Sequence, residues 1–112
     1  EKDTLVVFVT DNGWIQRTDN RRFAPRSKRS PYEGGVRTPI ILKWPGHLEA
    51  RKLDTPVSSL DLCPTILASC GLDLPKNLDG RSLLGLCRQE EARPALARPI
   101  LSTEAEDRIC LD

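Results

Sequence analysis

Asp11, Asn12 and Gly13 stand together directly after the apolar run Thr4 to Val9. A carboxylate and a side-chain carbonyl are hard oxygen donors of the kind that hold Ca2+ or Mg2+. Gly13 lets the chain turn tightly beside an ion. Asp-Asn-Gly is equally good chemistry for a plain Asx turn, and the tripeptide by itself favours the turn. Further on, Lys28 lies in a basic run of Arg17, Arg21, Arg22, Arg26, Lys28 and Arg29, opposed only by Asp19. A compact ammonium can hold an oxyanion as a point charge. The bland alternative is a solvated loop. The run has no aromatic interleaving beyond Phe23, which argues against a nucleic-acid surface.

Tyr32 to Pro39 reads YEGGVRTP. Gly34 and Gly35 permit either positive φ or close backbone approach, and Glu33 and Arg37 are expected either to pair or to hold loops. No nucleophile declares itself. Cys63-Pro64-Thr65 lies at a helix start within an apolar stripe, and no histidine is placed by sequence as its base. Ser30, Ser58, Ser59 and Ser82 stand in no supporting motif. The single histidine, His47, follows a Pro-Gly turn and is given no catalytic role. The four cysteines (Cys63, Cys70, Cys87 and Cys110) form no CxxC pair, which disfavours a structural zinc site. They leave disulfides and compartment open.

The elements that must position these residues follow from pattern. Thr4–Val9 (TLVVFV) is a continuous β-branched and apolar run, as expected of a strand buried on both faces of a parallel sheet. Residues 15 to 31 are polar, basic and without period, and read as a long loop, a kind that is often functional. Ile40 to Trp44 (IILKW) is a second strand, ended by Pro45-Gly46. Asp61 is placed as the N-cap of a helix. Pro64 falls at its third position, where a missing N–H costs no intrahelical bond. Leu62, Cys63, Ile66, Leu67 and Cys70 form one stripe at helical spacing, so the two thiols are expected to be buried. Gly71 is a natural residue just past the helix end, with Leu72 behind it. Asp79-Gly80 turns into a short helix, residues 90 to 99 read as linker, and Ile100 to Ser102 as a third strand. Strand and helix alternate, so the fold class is α/β.

The chain has 112 residues, which suits one domain or a piece of a larger one. Its 38% apolar and 29% charged residues and mean hydropathy of −0.39 describe a water-exposed globular composition. Its net charge of +1 selects no polyanionic partner. No apolar stretch approaches the roughly 20 residues that span a bilayer, and no signal peptide is visible. The abrupt start, a few residues before a strand, reads as a cut within a longer protein.

Taken together, four segments resemble the sulfatase family, within the alkaline-phosphatase-like superfamily. They are TLVVFVTDNGW, then a lysine ahead of SPYEGGVRTPIILKWPG, then PVSSLDLCPTILASCGL, then LDGRSLLGL, in the family's order and covering Thr4 to Leu86. YEGGVRTP after DNG is the specific element; DNG or DLCPT alone is weak. The resemblance implies part of a mixed, mostly parallel sheet flanked by helices. It implies that residues 1–90 are the C-terminal part of a sulfatase catalytic domain, and 91–112 a linker and the start of a C-terminal subdomain.

It further implies metal-assisted hydrolysis of sulfate esters, with Asp11 and Asn12 as Ca2+ ligands and Lys28 as the catalytic, substrate-binding cation on sulfate. Arg26 and Arg29 lie close enough to compete for that last role. Glu33, Gly34, Gly35 and Arg37 carry over as scaffold. Asn12 tilts the metal towards calcium, because the superfamily's two-zinc phosphoesterases tend to carry histidine there and imidazole suits zinc. The family's formylglycine nucleophile arises in a Cys/Ser-x-Pro/Ala-x-Arg segment, and none occurs in these 112 residues. It is expected in a missing N-terminal part, so this chain alone is expected to be inactive. Implied partners are a sulfate ester, including a sulfated glycan, and the remainder of the catalytic domain. A secreted, periplasmic or lysosomal-type compartment is consistent with the family. Phosphonate or phosphate monoester hydrolysis in the same superfamily, and a non-catalytic sulfated-glycan-binding relic, are the alternatives.

Overall fold

The computed structural model describes residues 2–20 and 22–89. The described residues divide into two units, one of residues 2–8 with 41–89 and the other of the described residues between 9 and 40. The expected linker at 90–99, the third strand at Ile100 to Ser102 and the segment 91–112 lie outside the described residues.

In the first unit, β1 (Val6–Val9) pairs with β2 (Ile40–Lys43) in a two-stranded sheet; the chain leaves the unit after Phe8 and re-enters at Ile41. Both strands are shorter than their apolar runs, β1 by two residues and β2 by Trp44. The expected burial of β1 on both faces is not met: Val6 and Phe8 are about half exposed, as is Ile41 on β2. Among the described residues each strand pairs only with the other. Trp44 leads into a turn in which the amides of His47 and Leu48 both donate to its carbonyl.

A 3-10 turn, Ser59–Asp61, then leads into α2 (Leu62–Ser69). The expected role of Asp61 is corrected here. It makes no side-chain cap on α2. It closes a capping box one turn earlier, accepting from the Ser58 amide at 2.9 Å while Ser58 Oγ accepts from Leu60. Such reciprocal caps satisfy amides that a helix start would leave unpaired. The other carboxylate oxygen accepts from the Arg81 amide at 2.9 Å. Pro64 does occupy the third helical position. At the far end Gly71 takes φ +70, the Leu72 amide reaches Leu67 O and the Gly71 amide reaches Ala68 O. This is the Schellman ending that Gly71-Leu72 predicts.

The stripe expected to face the interior does not. Cys63, Ile66 and Cys70 are exposed, whereas Asp61, Pro64 and Thr65 are fully buried. The reason is polar anchoring. Thr65 Oγ1 donates to Asp61 O at 2.5 Å and accepts from the Leu83 amide at 2.9 Å, which turns the Thr65 face of α2 inward. Leu83 and Leu84, buried at the start of α3 (Leu84–Arg88), complete this small core. The short helix after Asp79-Gly80 is where the sequence placed it.

The second unit carries the loop from Thr10 to Pro31 and the single-turn α1 (Glu33–Val36). The loop is more ordered than its composition implies. Gln16 and Phe23 form an antiparallel bridge, with Ala24 donating to Ile15 O and Arg17 to Arg22 O. No helix among the described residues is long and apolar enough to cross a membrane.

Candidate active site

Three short segments meet in the second unit: Asp11 to Ile15, Arg26 to Ser30, and α1. Backbone proximity joins them. The Gly13 amide donates to the Gly35 carbonyl at 2.7 Å. A Cβ on Gly13 would collide with the Gly34 carbonyl, and one on Gly35 with the carbonyls of Ser27 and Ser30. A Cβ on Gly34 would come within 2.7 Å of Arg26 O. Of the two properties that glycine offers here, close approach is the one used; the positive-φ glycines are Gly46 and Gly71.

Ser27 locks the arrangement. It is fully buried, and its Oγ accepts from the Ile15 amide at 2.5 Å. Its carbonyl accepts from Ser30 Oγ at 2.6 Å. Sequence reasoning missed this residue, because one serine within a basic run carries no spacing signal. The residues on either side of the Ser27-Lys28 pair, Arg26 and Arg29, are left-handed, with φ of 57° and 60°. Non-glycine residues adopt that region at a cost that surrounding contacts must offset.

Lys28 is half-buried, and its Nζ lies 5.6 Å from the centroid of the Trp14 ring. The indole is itself fixed: Nε1 donates to Gln16 Oε1 at 3.2 Å, and Phe23 packs edge-on at 5.5 Å. Arg26 is engaged elsewhere, its guanidinium 4.8 Å from the Tyr32 ring centroid. Arg17 grips Asp19 through both Nε and Nη2, and this pairing holds the Asp19 carboxyl below the usual carboxylate range. The expected Glu33–Arg37 pair forms on the exposed face of α1.

Asn12 donates Nδ2 to Gly13 O at 2.8 Å, which orients its amide. Its side-chain oxygen and the exposed Asp11 carboxylate are the hard donors of the set, and their chemistry fits an oxygen-seeking cation. Two such donors alone would fill only part of a calcium coordination shell. Among the described residues no group of three or more His, Cys, Asp or Glu side chains could hold a metal ion.

Comparison with known proteins gives the class. A family model for the C-terminal region of N-sulphoglucosamine sulphohydrolase matches residues 23–97. The chain is 34% identical to an endo-4-O-sulfatase of Bacteroides thetaiotaomicron, over 95% of this chain and 21% of that protein. It is 40% identical to human arylsulfatase A, over 73% of this chain and 17% of that protein. It is 32% identical to human steryl-sulfatase, over 81% and 18% respectively. The chain therefore belongs to the sulfatase family, as a C-terminal portion. It spans only about a fifth of the length of these relatives.

Proposed function

We propose that this chain supplies one part of a sulfatase active site. Asp11 and Asn12 serve as oxygen ligands of a calcium ion, and Lys28 as the cation on the sulfate oxygens. A calcium ion bound there would supply Lewis-acid polarisation of the oxyanion. Lys28, held beside the Trp14 indole, adds charge stabilisation where negative charge develops in the transition state. The formylglycine nucleophile and the remaining metal ligands belong to the remainder of the catalytic domain. So do the further strands of a mixed, mostly parallel sheet, which would pair at the edges of β1 and β2, and the flanking helices, which would cover their exposed apolar side chains. The substrate is a sulfate ester, a sulfated glycan being one candidate.

The observation that carries this reading is the way Gly13–Gly35 and Ser27–Ile15 hydrogen bonds hold the Asp11-Asn12 turn against the segment bearing Lys28. The test uses the full-length protein. Asp11→Ala and Lys28→Ala should each lower kcat/KM on an aryl sulfate by about 100- to 1,000-fold, the cost of removing one group that stabilises developing charge. Wild-type rates in both variants sink the assignment. Sulfate release by the 112-residue chain alone would overturn its incompleteness. Faster turnover of a phosphonate than of a sulfate ester would move the reading to the phosphonate hydrolases.

A further inference from the structure

In the first unit, His47, Glu49, Arg51, Cys87, Arg88 and Gln89 line an open cavity of about 270 Å³. Two guanidinium nitrogens of Arg51, Nε and Nη1, are buried and have no acceptor among the described residues. The third, Nη2, meets Glu49 Oε2 at 3.2 Å, but Glu49 is largely exposed. Buried polar groups are nearly always hydrogen-bonded, so orphaned donors on a charged side chain call for an explanation. Two more groups support it. Arg88 is the last residue of α3, and His47 is stacked against Trp44 with ring centroids 4.1 Å apart. Among the described lining residues Glu49 supplies the sole carboxylate, set against Arg51, Arg88 and His47.

We propose that this cavity is an oxyanion-binding site, separate in its residues from the Asp11, Asn12 and Lys28 set, that takes a sulfate group. Guanidinium groups suit such an anion because their planar array of N–H donors matches its oxygens. The sulfate comes either as the free ion or as a substituent on a sulfated glycan. The glycan source rests on the proposed function, whereas the anion site does not.

Cys87 provides the readout, because it lines the cavity while Cys63 and Cys70 are exposed on the same chain. Alkylation of each cysteine in the full-length protein is followed by mass spectrometry, with sodium sulfate, a disulfated disaccharide, or sodium chloride at matched ionic strength. Sulfate should slow alkylation of Cys87 at least threefold and leave Cys63 and Cys70 unchanged. Protection by the disaccharide at lower concentration than by sulfate assigns the glycan source; equal or weaker protection assigns the free ion. Arg88→Gln, at an exposed position, should weaken the protection several-fold, and Arg51→Gln should abolish it. Lys28→Ala should leave it intact even where it removes sulfatase activity. Protection equal to that by chloride, no protection by either sulfated probe, or protection that survives both arginine substitutions overturns the site.

Discussion

The Gly13 amide donates to the Gly35 carbonyl across 2.7 Å, and this bond ties the turn bearing Asp11 and Asn12 to α1. Neither residue tolerates a side chain. In Gly35→Ala the new methyl would meet two backbone carbonyls, so it should destabilise the full-length protein by about 1–3 kcal/mol and cut activity as the turn shifts. Gly46→Ala is the comparator. It meets no atom within 4 Å but takes φ +82, so its cost is the left-handed backbone, about 1–2 kcal/mol, with no expected loss of activity. Thermal melts and rates on both variants separate the two effects.

Asp61 and Thr65 stitch the start of α2 to the approach to α3. Asp61→Ala leaves the amides of Ser58 and Arg81 without their acceptor, and should cost about 2–5 kcal/mol by the loss of two such bonds. Thr65→Val keeps the shape and strands the Leu83 amide, for about 1–3 kcal/mol. Denaturant titration of each variant checks the order.

Trp14 holds the Lys28 ammonium near its ring. A cation–π contact of this kind contributes about 0.5–1 kcal/mol, so Trp14→Ala should lower kcat two- to fivefold. Trp14→Phe should recover part of that loss, which a purely structural role for the indole would not predict.

If Asp11 and Asn12 bind calcium, a calcium-selective chelator should abolish activity of the full-length protein. Calcium should restore it and zinc should not. Asn12→His should weaken calcium dependence, since an imidazole suits a softer cation. Restoration by zinc in the wild type would reverse the metal assignment.

Burial pushes the Cys87 thiol up, partly offset by the charge of Arg51. Alkylation of Cys87 should therefore rise at higher pH than that of an ordinary thiol. The sign for stability follows. The fold favours the neutral thiol, so this contribution is full below the unfolded thiol's value and is lost as pH climbs through the folded one. Melts between neutral and alkaline pH, with Cys87→Ala as control, should show the difference.

Much of this was legible in the residues. Gly71-Leu72 announced the end of α2, Asp79-Gly80 the start of α3, and Glu33 and Arg37 their pairing, because each is a local rule acting within one turn. Burial was not legible. The α2 stripe read as core, but Thr65 and Asp61 turned the other face inward through bonds to Leu83 and Arg81, partners far off in sequence. β1 read as a buried strand, yet only β2 pairs with it among the described residues. Ser27 was invisible for a similar reason: its importance is one hydrogen bond to Ile15, which no spacing encodes. The Asp11, Asn12 and Lys28 set is proposed from family pattern, and the physics of the turn alone stops at an Asx turn.

The atoms that crowd Gly13 and Gly35 are main-chain atoms, apart from the Ser30 hydroxyl at the edge of the Gly35 contact. Every residue type carries the same carbonyl, so no substitution elsewhere can trim the obstacle away. A side chain at either position therefore has no simple genetic suppressor, and a selection for regained activity should return glycine itself.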